Sequence, residues 1–390
     1  MKKIFLSVLA LSFLVFSCQK ENELAVNDQT SPEEAIIDGQ YIVVFNQTSF
    51  KSFSTETYEK RMSVVREEAK VMLTKHNIAE NVVRNTYGTV LRGFCANLTK
   101  SEVEELRNDA SVKYIVEDKI FTLGIVKITG KPVPVPPAET IPYGILRVGY
   151  GSGIGKTAWI IDTGVDLDHP DLTVDASRGY DFINNDAFAD DDNGHGSHCA
   201  GTVAAKDNDI GVVGVAAGAT IVPVKVLDRR GSGAYSVIIA GVDFVATNAQ
   251  PGDAANMSLG GGVYEPIDEA VYNASQKGIY FALAAGNESD DANNHSPARV
   301  NGPNIWTISA MDVNDNWAYF SNYGNPPIEY CMPGVNIFST YKSGGFTTMS
   351  GTSMAAPHMC GVLLMTNGNP STDGYVNGDP DGNPDPIAHL

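Results

Sequence analysis

Cysteine is scarce in this sequence, with five residues in 390. Five cysteines in separate regions are too few for a disulfide framework, so such a framework is excluded. Two of them, Cys18 and Cys95, lie in segments that we expect to be processed, for reasons given below. That leaves Cys199, Cys331 and Cys360, and an odd number means that at least one thiol is free or pairs between molecules.

Positively charged residues are also few. Lysine and arginine total 27 against 46 acidic residues, which gives a formal net charge of −19. This balance argues against nucleic acid or anionic lipid as electrostatic partners and favours solubility outside the cell. A hydrophobic content of 43% with 19% charged residues is typical of globular proteins, and the length allows two or three domains.

The apolar run at the N-terminus is short. Residues 4–16 follow two lysines and are too few to span a membrane, so residues 1–18 are interpreted as a signal peptide. The run ends in Val-Phe-Ser-Cys, which resembles a bacterial lipobox and predicts lipidation at Cys18. An ordinary secretory signal is the alternative, although no A-x-A-like cleavage site is present. Residues 19–39 are polar and are predicted to form a flexible tether.

Residues 40–122 show a mixed strand and helix pattern. The predicted order is βαββαβ, with strands at residues 41–45, 82–87, 91–98 and 112–116 and helices at 55–75 and 100–108. That order fits a small ferredoxin-like α+β domain, which by itself implies no function. Residues 123–140 contain Pro132, Pro134, Pro136 and Pro137 and are predicted to form an extended linker.

Residues 141–390 alternate short apolar runs with helical patterns. The predicted strands are residues 158–161, 221–227, 255–258, 280–284 and 306–310, and the predicted helices include 235–247 and 265–277. This alternation favours an α/β domain with a mainly parallel sheet flanked by helices. Side chains that follow the carboxyl ends of such strands meet in one crevice.

Three polar residues in this region have neighbours that suit nucleophilic catalysis. Ser353 follows a small-residue turn and precedes an apolar helix; it is a candidate nucleophile, although a helix cap is the simpler interpretation of the turn alone. His195 lies between two glycines, and Asp162 ends an apolar strand. Each signal is weak by itself, but a hydroxyl needs a base and the base needs an orienting group.

Taken together, in the order Asp, His, Ser, these segments resemble the subtilisin-like serine proteases, and most closely the proteinase K-like branch. Further segments match the family in the right order: residues 224–227, 231–233, 258–262, 284–287 and 320–324. The resemblance extends over roughly residues 140–365. It implies a subtilisin-like catalytic domain at residues 141–390.

The resemblance implies a serine endopeptidase that works through an acyl-enzyme and needs no cofactor for catalysis. Ser353 would attack the substrate carbonyl, His195 would move the proton, and Asp162 would orient His195. The side-chain amide of Asn287 and the backbone N–H of Ser353 would hold the oxyanion. The alternative is a catalytically silent binding protein of the same fold, and the four intact residues count against it.

Directly before such a domain, residues 40–122 resemble the family's inhibitory propeptide, which templates folding and plugs the active site. A permanent accessory domain is the alternative. We expect self-cleavage near the start of residues 123–140, protein or peptide substrates, and a monomer. We expect the product outside the cytoplasm, as an outer-membrane or cell-surface lipoprotein attached to the membrane only through a lipid anchor, or secreted after processing.

Two glycine-rich segments resemble the family's extended substrate-binding strands. Glycines leave backbone groups accessible for strand-like addition of a peptide, which implies broad specificity. The same glycines could be simple loop residues. The predicted substrate-binding residues are Gly231, Ser232, Gly233, Ser258, Leu259, Gly260 and Gly261. We expect a preference for large apolar or aromatic residues before the cut.

Metal-dependent hydrolysis is the rival chemical interpretation, because His198 lies three residues after His195 on one predicted helix. Against it, residues 190–192 are more simply an acidic loop. Cys199 takes the place of the partly buried thiol beside the catalytic histidine in proteinase K-like enzymes, and inert packing is its simpler interpretation. His169 and His358 are interpreted as structural.

Structural calcium is expected at two places. Pro303, Ile305 and Glu329 align with a family site built from two carbonyls and a carboxylate. The second place alternates oxygen-bearing side chains, as calcium loops do, although a solvated acidic tail explains it equally well. Its candidate ligands are Asp379, Asp381, Asn383 and Asp385.

Overall fold

The computed structural model describes residues 35–46, 57–124, 127–133 and 137–390. The predicted signal peptide, Cys18 and most of the predicted tether lie outside the described residues. Strand β1 begins at Ile36, so the prediction of a tether reaching residue 39 was wrong at its end.

The N-terminal part of the described chain forms an antiparallel sheet with two helices. Its elements are β1 (Ile36–Phe45), α1 (Tyr58–Lys75), β2 (Val83–Tyr87), β3 (Gly93–Asn97), α2 (Lys100–Arg107) and β4 (Val112–Thr122). The strand order β4-β1-β3-β2 is that of a ferredoxin-like domain and confirms the predicted βαββαβ pattern. Strand β4 is much longer than predicted.

Both helices begin at threonine caps. The side chain of Thr57 accepts a hydrogen bond from the backbone N–H of Lys60. Thr99 and Glu102 form a reciprocal capping box at the start of α2. The apolar faces of the helices pack on the sheet and bury Val65, Leu73 and other side chains in a separate core.

The described residues of the predicted proline-rich linker lie against the rest of the chain. Strand β5 (Lys127–Ile128) pairs antiparallel with residues 349–350. Val133 exchanges two backbone hydrogen bonds with Phe346, and the backbone N–H of Thr140 donates to the carbonyl of Gly211. Pro134 and Pro136 are not among the described residues.

The C-terminal region is an α/β domain. Its helices are α3 (Tyr143–Val148), α4 (His195–Ala204), α5 (Tyr235–Asn248), α6 (Glu265–Ser275) and α7 (Thr352–Thr366). Its strands are β6 (Gly151–Ser152), β7 (Thr157–Asp162), β8 (Thr173–Val174), β9 (Tyr180–Asp181), β10 (Ala216–Ala217), β11 (Thr220–Lys225), β12 (Ser232–Ala234), β13 (Ala254–Met257), β14 (Gly261–Gly262), β15 (Tyr280–Ala284), β16 (His295–Ser296), β17 (Ile305–Met311), β18 (Ile328–Pro333), β19 (Ile337–Tyr341), β20 (Gly345–Ser350), β21 (Ser371–Tyr375) and β22 (Pro386–His389).

The main sheet has the order β21-β22-β18-β17-β15-β13-β7-β11-β8, with β9 beside β11, and all its pairs except β21 with β22 are parallel. Side chains alternate between two cores along β7. Ala158 and Ile160 face a core shared with α4 and α7, whereas Trp159 and Ile161 face a core shared with α5 and α6. The predicted parallel sheet covered on both faces is therefore confirmed.

The end of the chain adds two strands to one edge of this sheet. Strand β22 pairs parallel with β18 and antiparallel with β21. Ile387 and Ala388 are fully buried there, and Asp385 is 1% exposed. The interpretation of residues 379–385 as a solvated acidic tail was therefore wrong for Asp385.

No helix in the described ranges combines the length and the apolar character that a membrane span requires.

Candidate active site

The carboxyl end of β7 places Asp162 beside His195. Both carboxylate oxygens of Asp162 lie within hydrogen-bonding distance of His195 Nδ1, at 2.8 and 2.9 Å. Asp162 is fully buried and His195 is 3% exposed. The carboxylate therefore fixes Nδ1 as the protonated ring nitrogen and leaves Nε2 free to accept a proton.

Two glycines allow the close packing around His195. Gly194 has a φ of 112°, and a Cβ there would lie 2.1 Å from the ring of Tyr341. A Cβ on Gly196 would lie 2.0 Å from the carbonyl oxygen of Gly164, in the turn after β7. Larger residues at these positions would push α4 away from Asp162.

Asp191 anchors the start of α4. Its carboxylate accepts hydrogen bonds from the backbone N–H groups of Asn193, Gly194 and Ser197. Thr163, directly after Asp162, donates to Asp191 and accepts from the backbone N–H of Gly196. These bonds tie the end of β7 to the helix that carries His195. Residues 190–192 form a loop, as predicted, and Asp191 in this loop also anchors the helix.

Opposing effects act on the imidazole of His195. Burial alone lowers the pKa of His195, but the charges of Asp162 and Asp191 and the hydrogen bond to Asp162 outweigh burial and raise that pKa above its usual value. The protonated imidazole is thus well stabilised, as a proton-accepting base requires.

Ser353 lies in the first turn of α7, and its carbonyl accepts a hydrogen bond from Cys199 on α4, the helix that carries His195. Its hydroxyl donates to the carbonyl oxygen of Ser258 at 3.2 Å. His195 Nε2 is buried and has no hydrogen-bond partner among the residues that the structure describes. The hydrogen bond between the serine and the histidine of the predicted triad is therefore not formed in this structure.

Thr352 orients Asn287. The backbone N–H and the hydroxyl of Thr352 both donate to Asn287 Oδ1, at 2.8 and 3.1 Å. Because Oδ1 is held in this way, the side-chain N–H₂ group of Asn287 faces the crevice. The hydroxyl of Thr352 also lies 3.2 Å from the backbone N–H of Gly286, which donates to it.

The chain's own residues 120–124 occupy the crevice. The end of β4 pairs antiparallel with β12, with Thr122 opposite Ser232 and Phe121 opposite Gly233. The backbone N–H of Leu123 donates to the carbonyl of Gly231 at 2.8 Å. Gly231, Ser232 and Gly233 thus pair with a segment of the chain itself, and their binding of substrate stays a prediction.

The other glycine segment has its own local contacts. Ser258 accepts from Ser353, and its hydroxyl donates back to the carbonyl of Ser353 at 2.7 Å. Leu259 is 3% exposed, and Gly260 lies beside the carbonyl of Ser296. Gly261 begins β14, which pairs with β16. Substrate binding by this second segment stays a prediction.

The two histidines of the rival metal interpretation face different partners. His198 Nε2 lies 3.0 Å from the carbonyl of Ile337, and burial lowers the pKa of His198 to about 3. Among the described residues, the only three metal-ligating side chains that lie close together are Asp162, His195 and Cys199. Burial raises the pKa of the Cys199 thiol well above its usual value, and Cys199 donates to the carbonyl of Ser353. A protonated, buried thiol fits the interpretation of inert packing.

The two histidines that were interpreted as structural are each hydrogen-bonded to a backbone carbonyl. His169 Nε2 lies 3.0 Å from the carbonyl of Gly345, and His358 Nδ1 lies 2.8 Å from the carbonyl of Met354.

The candidate calcium ligands include two buried acids. Glu329 accepts a hydrogen bond from the backbone N–H of Thr307, and burial raises the pKa of Glu329 to about 8. Asp385 accepts from Ser309 and Asn325, and burial raises the pKa of Asp385 to about 7. Burial thus disfavours the charge of both carboxylates. Calcium binding by these side chains stays a prediction.

Sequence reasoning missed several residues of the site. Thr163 and Thr352 contact residues distant in sequence, so no local pattern reveals these contacts. For Asp191, its place a few residues before a predicted helix is the signal that could have indicated a cap. Phe121, which packs against Tyr235 in the crevice, had no such signal.

Comparison with known proteins identifies two regions of the chain. Residues 155–375 match the subtilase family, and residues 40–124 match the peptidase inhibitor I9 family.

Relatives of similar sequence are proteases. The chain is 36% identical to alkaline serine exoprotease A of Vibrio alginolyticus over 89% of its own length and 64% of the relative's length. It is 37% identical to proteinase R of Parengyodontium album over 73% of each chain. It is 34% identical to an extracellular serine proteinase of a Thermus species over 92% of its length and 88% of the relative's.

A solved structure shows the same fold. The crystal structure of a cold adapted subtilisin-like serine proteinase superposes with a TM-score of 0.51 at 40% identity, over 57% of this chain and 84% of that one. The chain therefore belongs to the subtilase family and is a subtilisin-like serine protease preceded by an I9-type inhibitor domain.

Proposed function

We propose that this protein is a serine endopeptidase in which Ser353, His195, Asp162 and Asn287 carry the chemistry. The observation that carries the proposal is the pairing of Asp162 with His195 Nδ1 beside Ser353. The alternative, a binding protein without catalytic activity, does not explain why Asp162 and His195 form this buried pair. Its substrates are proteins or peptides that add as a strand to Gly231–Gly233.

The reaction follows from the positions of these groups. The hydroxyl of Ser353 turns from the carbonyl of Ser258 to His195 Nε2 and loses its proton to it while the oxygen attacks the substrate carbonyl carbon. Asp162 stabilises the resulting imidazolium. His195 then gives the proton to the leaving amine, and water hydrolyses the acyl-enzyme by the same steps in reverse order.

The oxyanion is stabilised by the side-chain amide of Asn287 and the backbone N–H of Ser353. Thr352 holds the acceptor oxygen of Asn287, so the donor is oriented before the reaction. Loss of the corresponding asparagine in subtilisin, a member of the same family, costs roughly 10²–10³ in turnover.

We further propose that residues 40–122 inhibit the enzyme until they are cut off and released. Three sets of contacts support this. Asp118 of β4 accepts a hydrogen bond from the backbone N–H of Ser236 at the start of α5. Asp243 of α5 accepts three from the loop at residues 88–90. Lys113 and Tyr114 bind Glu269 on α6.

The proposed location is outside the cytoplasm, and the relatives named as extracellular proteins support it. Attachment through a lipid on Cys18 is our proposal from the sequence alone. Replacement of Cys18 by serine should release a membrane-bound protein into the soluble fraction.

We propose that calcium has a structural role. Glu329 with the carbonyls of Pro303 and Ile305 would hold one ion, and Asp379, Asp381, Asn383 and Asp385 would hold another. The ion would supply positive charge to buried carboxylates. Thermal unfolding with and without a calcium chelator measures this effect, and an unchanged midpoint would contradict it.

The self-processing proposal is tested by mass spectrometry of the wild-type chain and a Ser353→Ala variant. The wild type should yield a catalytic fragment that begins between residues 122 and 140, whereas Ser353→Ala should fold but remain uncut. Identical processing of both would show that another protease makes the cut. No processing of either would make residues 40–122 an accessory domain.

A further inference from the structure

We infer that self-processing cuts the peptide bond on the carboxyl side of Gly124. The inference rests on the proposed self-cleavage by Ser353 and assigns its position. It follows from where the described residues on either side of Ser353 lie, since a strand bound in a fixed register presents one carbonyl to the nucleophile.

The register before the cut is set by β12. Phe121 lies opposite Gly233, Thr122 lies opposite Ser232, and the backbone N–H of Leu123 donates to the carbonyl of Gly231. The hydroxyls of Thr122 and Ser232 also lie 2.9 Å apart. These bonds leave the strand no freedom to slip by one residue, because a slip would reverse the face of every side chain.

Phe121 anchors this register. Its side chain is 1% exposed, and its ring lies edge-on to Tyr235 with 6.2 Å between ring centroids. It belongs to the core that lies between the sheet and α5. A one-residue shift would remove this ring from its site.

Gly124 lies beside the proposed oxyanion donor. A Cβ built on Gly124 would lie 4.0 Å from Asn287 Nδ2 and 3.9 Å from Glu288 Oε1. These are ordinary contacts, so the site has room for a side chain that Gly124 does not supply. The amide nitrogen of Asn287 therefore lies next to Gly124, whose carbonyl would become the oxyanion.

The chain continues on the other side of Ser353. Lys127 lies opposite Ser350 and Ile128 lies opposite Met349, on the strand that leads into α7. The backbone N–H of Thr129 donates to the carbonyl of Thr348. Residues 124 and 127 thus bracket Ser353, which limits the cut to the bonds after residues 124, 125 and 126, and Asn287 selects the first.

The chemistry is hydrolysis with water as co-reactant. Ser353 Oγ bonds to the carbonyl carbon of Gly124, and the bond from that carbon to the following nitrogen breaks. The new amine takes the proton that His195 removed from Ser353. Water then cleaves the ester, which gives a propeptide with a carboxylate on Gly124 and restores Ser353.

The test is the intact mass of the released propeptide from the full-length wild-type chain, read at the earliest time of processing. The propeptide should end at Gly124. A propeptide that ends at any other residue overturns this inference but leaves self-processing intact. A Ser353→Ala chain that is cut as fast as wild type overturns the proposed function instead.

An inserted residue shows whether the position of the cut is set by the register of the bound strand or by the amino acids around the bond. With one alanine added between Leu123 and Gly124, the cut should move to follow the alanine, because that residue now lies beside Asn287. The matched control adds alanine after Lys131 and should leave the propeptide mass unchanged. If the first insertion still gives a propeptide that ends in glycine, the register does not choose the bond.

Two substitutions test the anchor. Phe121→Ala should slow self-cleavage by at least about tenfold, whereas Tyr375→Ala, on an exposed aromatic of the catalytic domain, should leave its rate unchanged. Phe121→Leu should restore most of the rate. If any change at position 121 simply impaired folding, Phe121→Leu would be as slow as Phe121→Ala. Equal rates for Phe121→Ala and wild type would overturn the role of the anchor.

Discussion

His195 is under two opposed influences, and their balance decides the pH at which the enzyme works. Burial disfavours the imidazolium, but Asp162 and Asp191 favour it more strongly and raise the pKa of His195 above 6.5. Only the neutral ring accepts the proton of Ser353. Activity should therefore fall as the pH drops through that raised pKa.

The first prediction is that kcat/KM of the matured enzyme has an acidic limb with its midpoint above pH 6.5. In Asp162→Asn the limb should move to lower pH, because burial then dominates. The rate should also drop by roughly 10⁴-fold, the loss that this change causes in a serine protease of another fold. Peptide hydrolysis measured from pH 5 to 9 checks both. An acidic limb that does not move would contradict the assigned role of Asp162.

The sequence predicted the roles of some residues of the active site but not of others. Asp162, His195 and Ser353 lie in motifs whose immediate neighbours are constrained by close packing, so local sequence predicts them. The sequence did not predict a role for Thr352, because its hydrogen bond to Asn287 spans 65 positions in sequence. Contacts of this kind depend on the fold and leave no local pattern.

Among the elements, α5 is the one that the propeptide contacts at both its start and its middle. Asp243 is fully buried and accepts backbone N–H bonds from Gly88, Thr89 and Val90 at 3.3, 2.7 and 2.8 Å. Hydrogen bonds to a charged group contribute roughly 1.5–3 kcal/mol each. Release of the propeptide requires that all three of these hydrogen bonds break.

We predict that Asp243→Asn speeds release of the cleaved propeptide by at least about tenfold, equivalent to ~1.4 kcal/mol. The amide keeps one acceptor but places donors against the N–H groups of residues 88–90. The lag before activity appears, after self-cleavage of the full chain, measures the release. Asp207→Asn makes the same chemical change at an exposed site and should not alter the lag. A lag of equal length in both variants would show that Asp243 does not hold the propeptide.

The C-terminal strands contribute to the main sheet through a few buried side chains. Ile387 is fully buried and packs with Met311, Cys331 and Val376. Ile387→Ala should destabilise the matured enzyme by about 2–5 kcal/mol, because it leaves a cavity. Thermal unfolding measures the change. Tyr375→Ala, at a side chain that is 63% exposed, is the control and should change stability little. Similar midpoints for the two variants would show that β22 does not stabilise the fold.

Element prediction succeeded where hydrophobic patterns were long. The strand at residues 280–284 has the predicted bounds, and α5 differs from its prediction by one residue. Strands β21 and β22 were not predicted, because their polar residues do not alternate with apolar ones and only pairing with β18 buries Ile387. Strand β4 was predicted too short for a related reason: its second half is stabilised by β12, from the other part of the chain.

For the whole molecule, order along the chain was the strongest signal. A ferredoxin-like pattern followed by Asp, His and Ser motifs predicted both parts, and the two family matches confirm that assignment. The sequence could not show that residues 120–122 pair with β12 and that residues 127–128 pair with β20, because both pairings join parts of the chain that are far apart in sequence. The domain limits themselves stay predictions.

The central claim is that Ser353, activated by His195, is the nucleophile of this protease. The most direct measurement treats the matured wild-type enzyme with a fluorophosphonate probe and locates the adduct by peptide mass spectrometry. The account predicts one adduct, on Ser353, with loss of peptide hydrolysis in proportion to labelling. A matured enzyme that hydrolyses peptides while Ser353 takes up no label would contradict it.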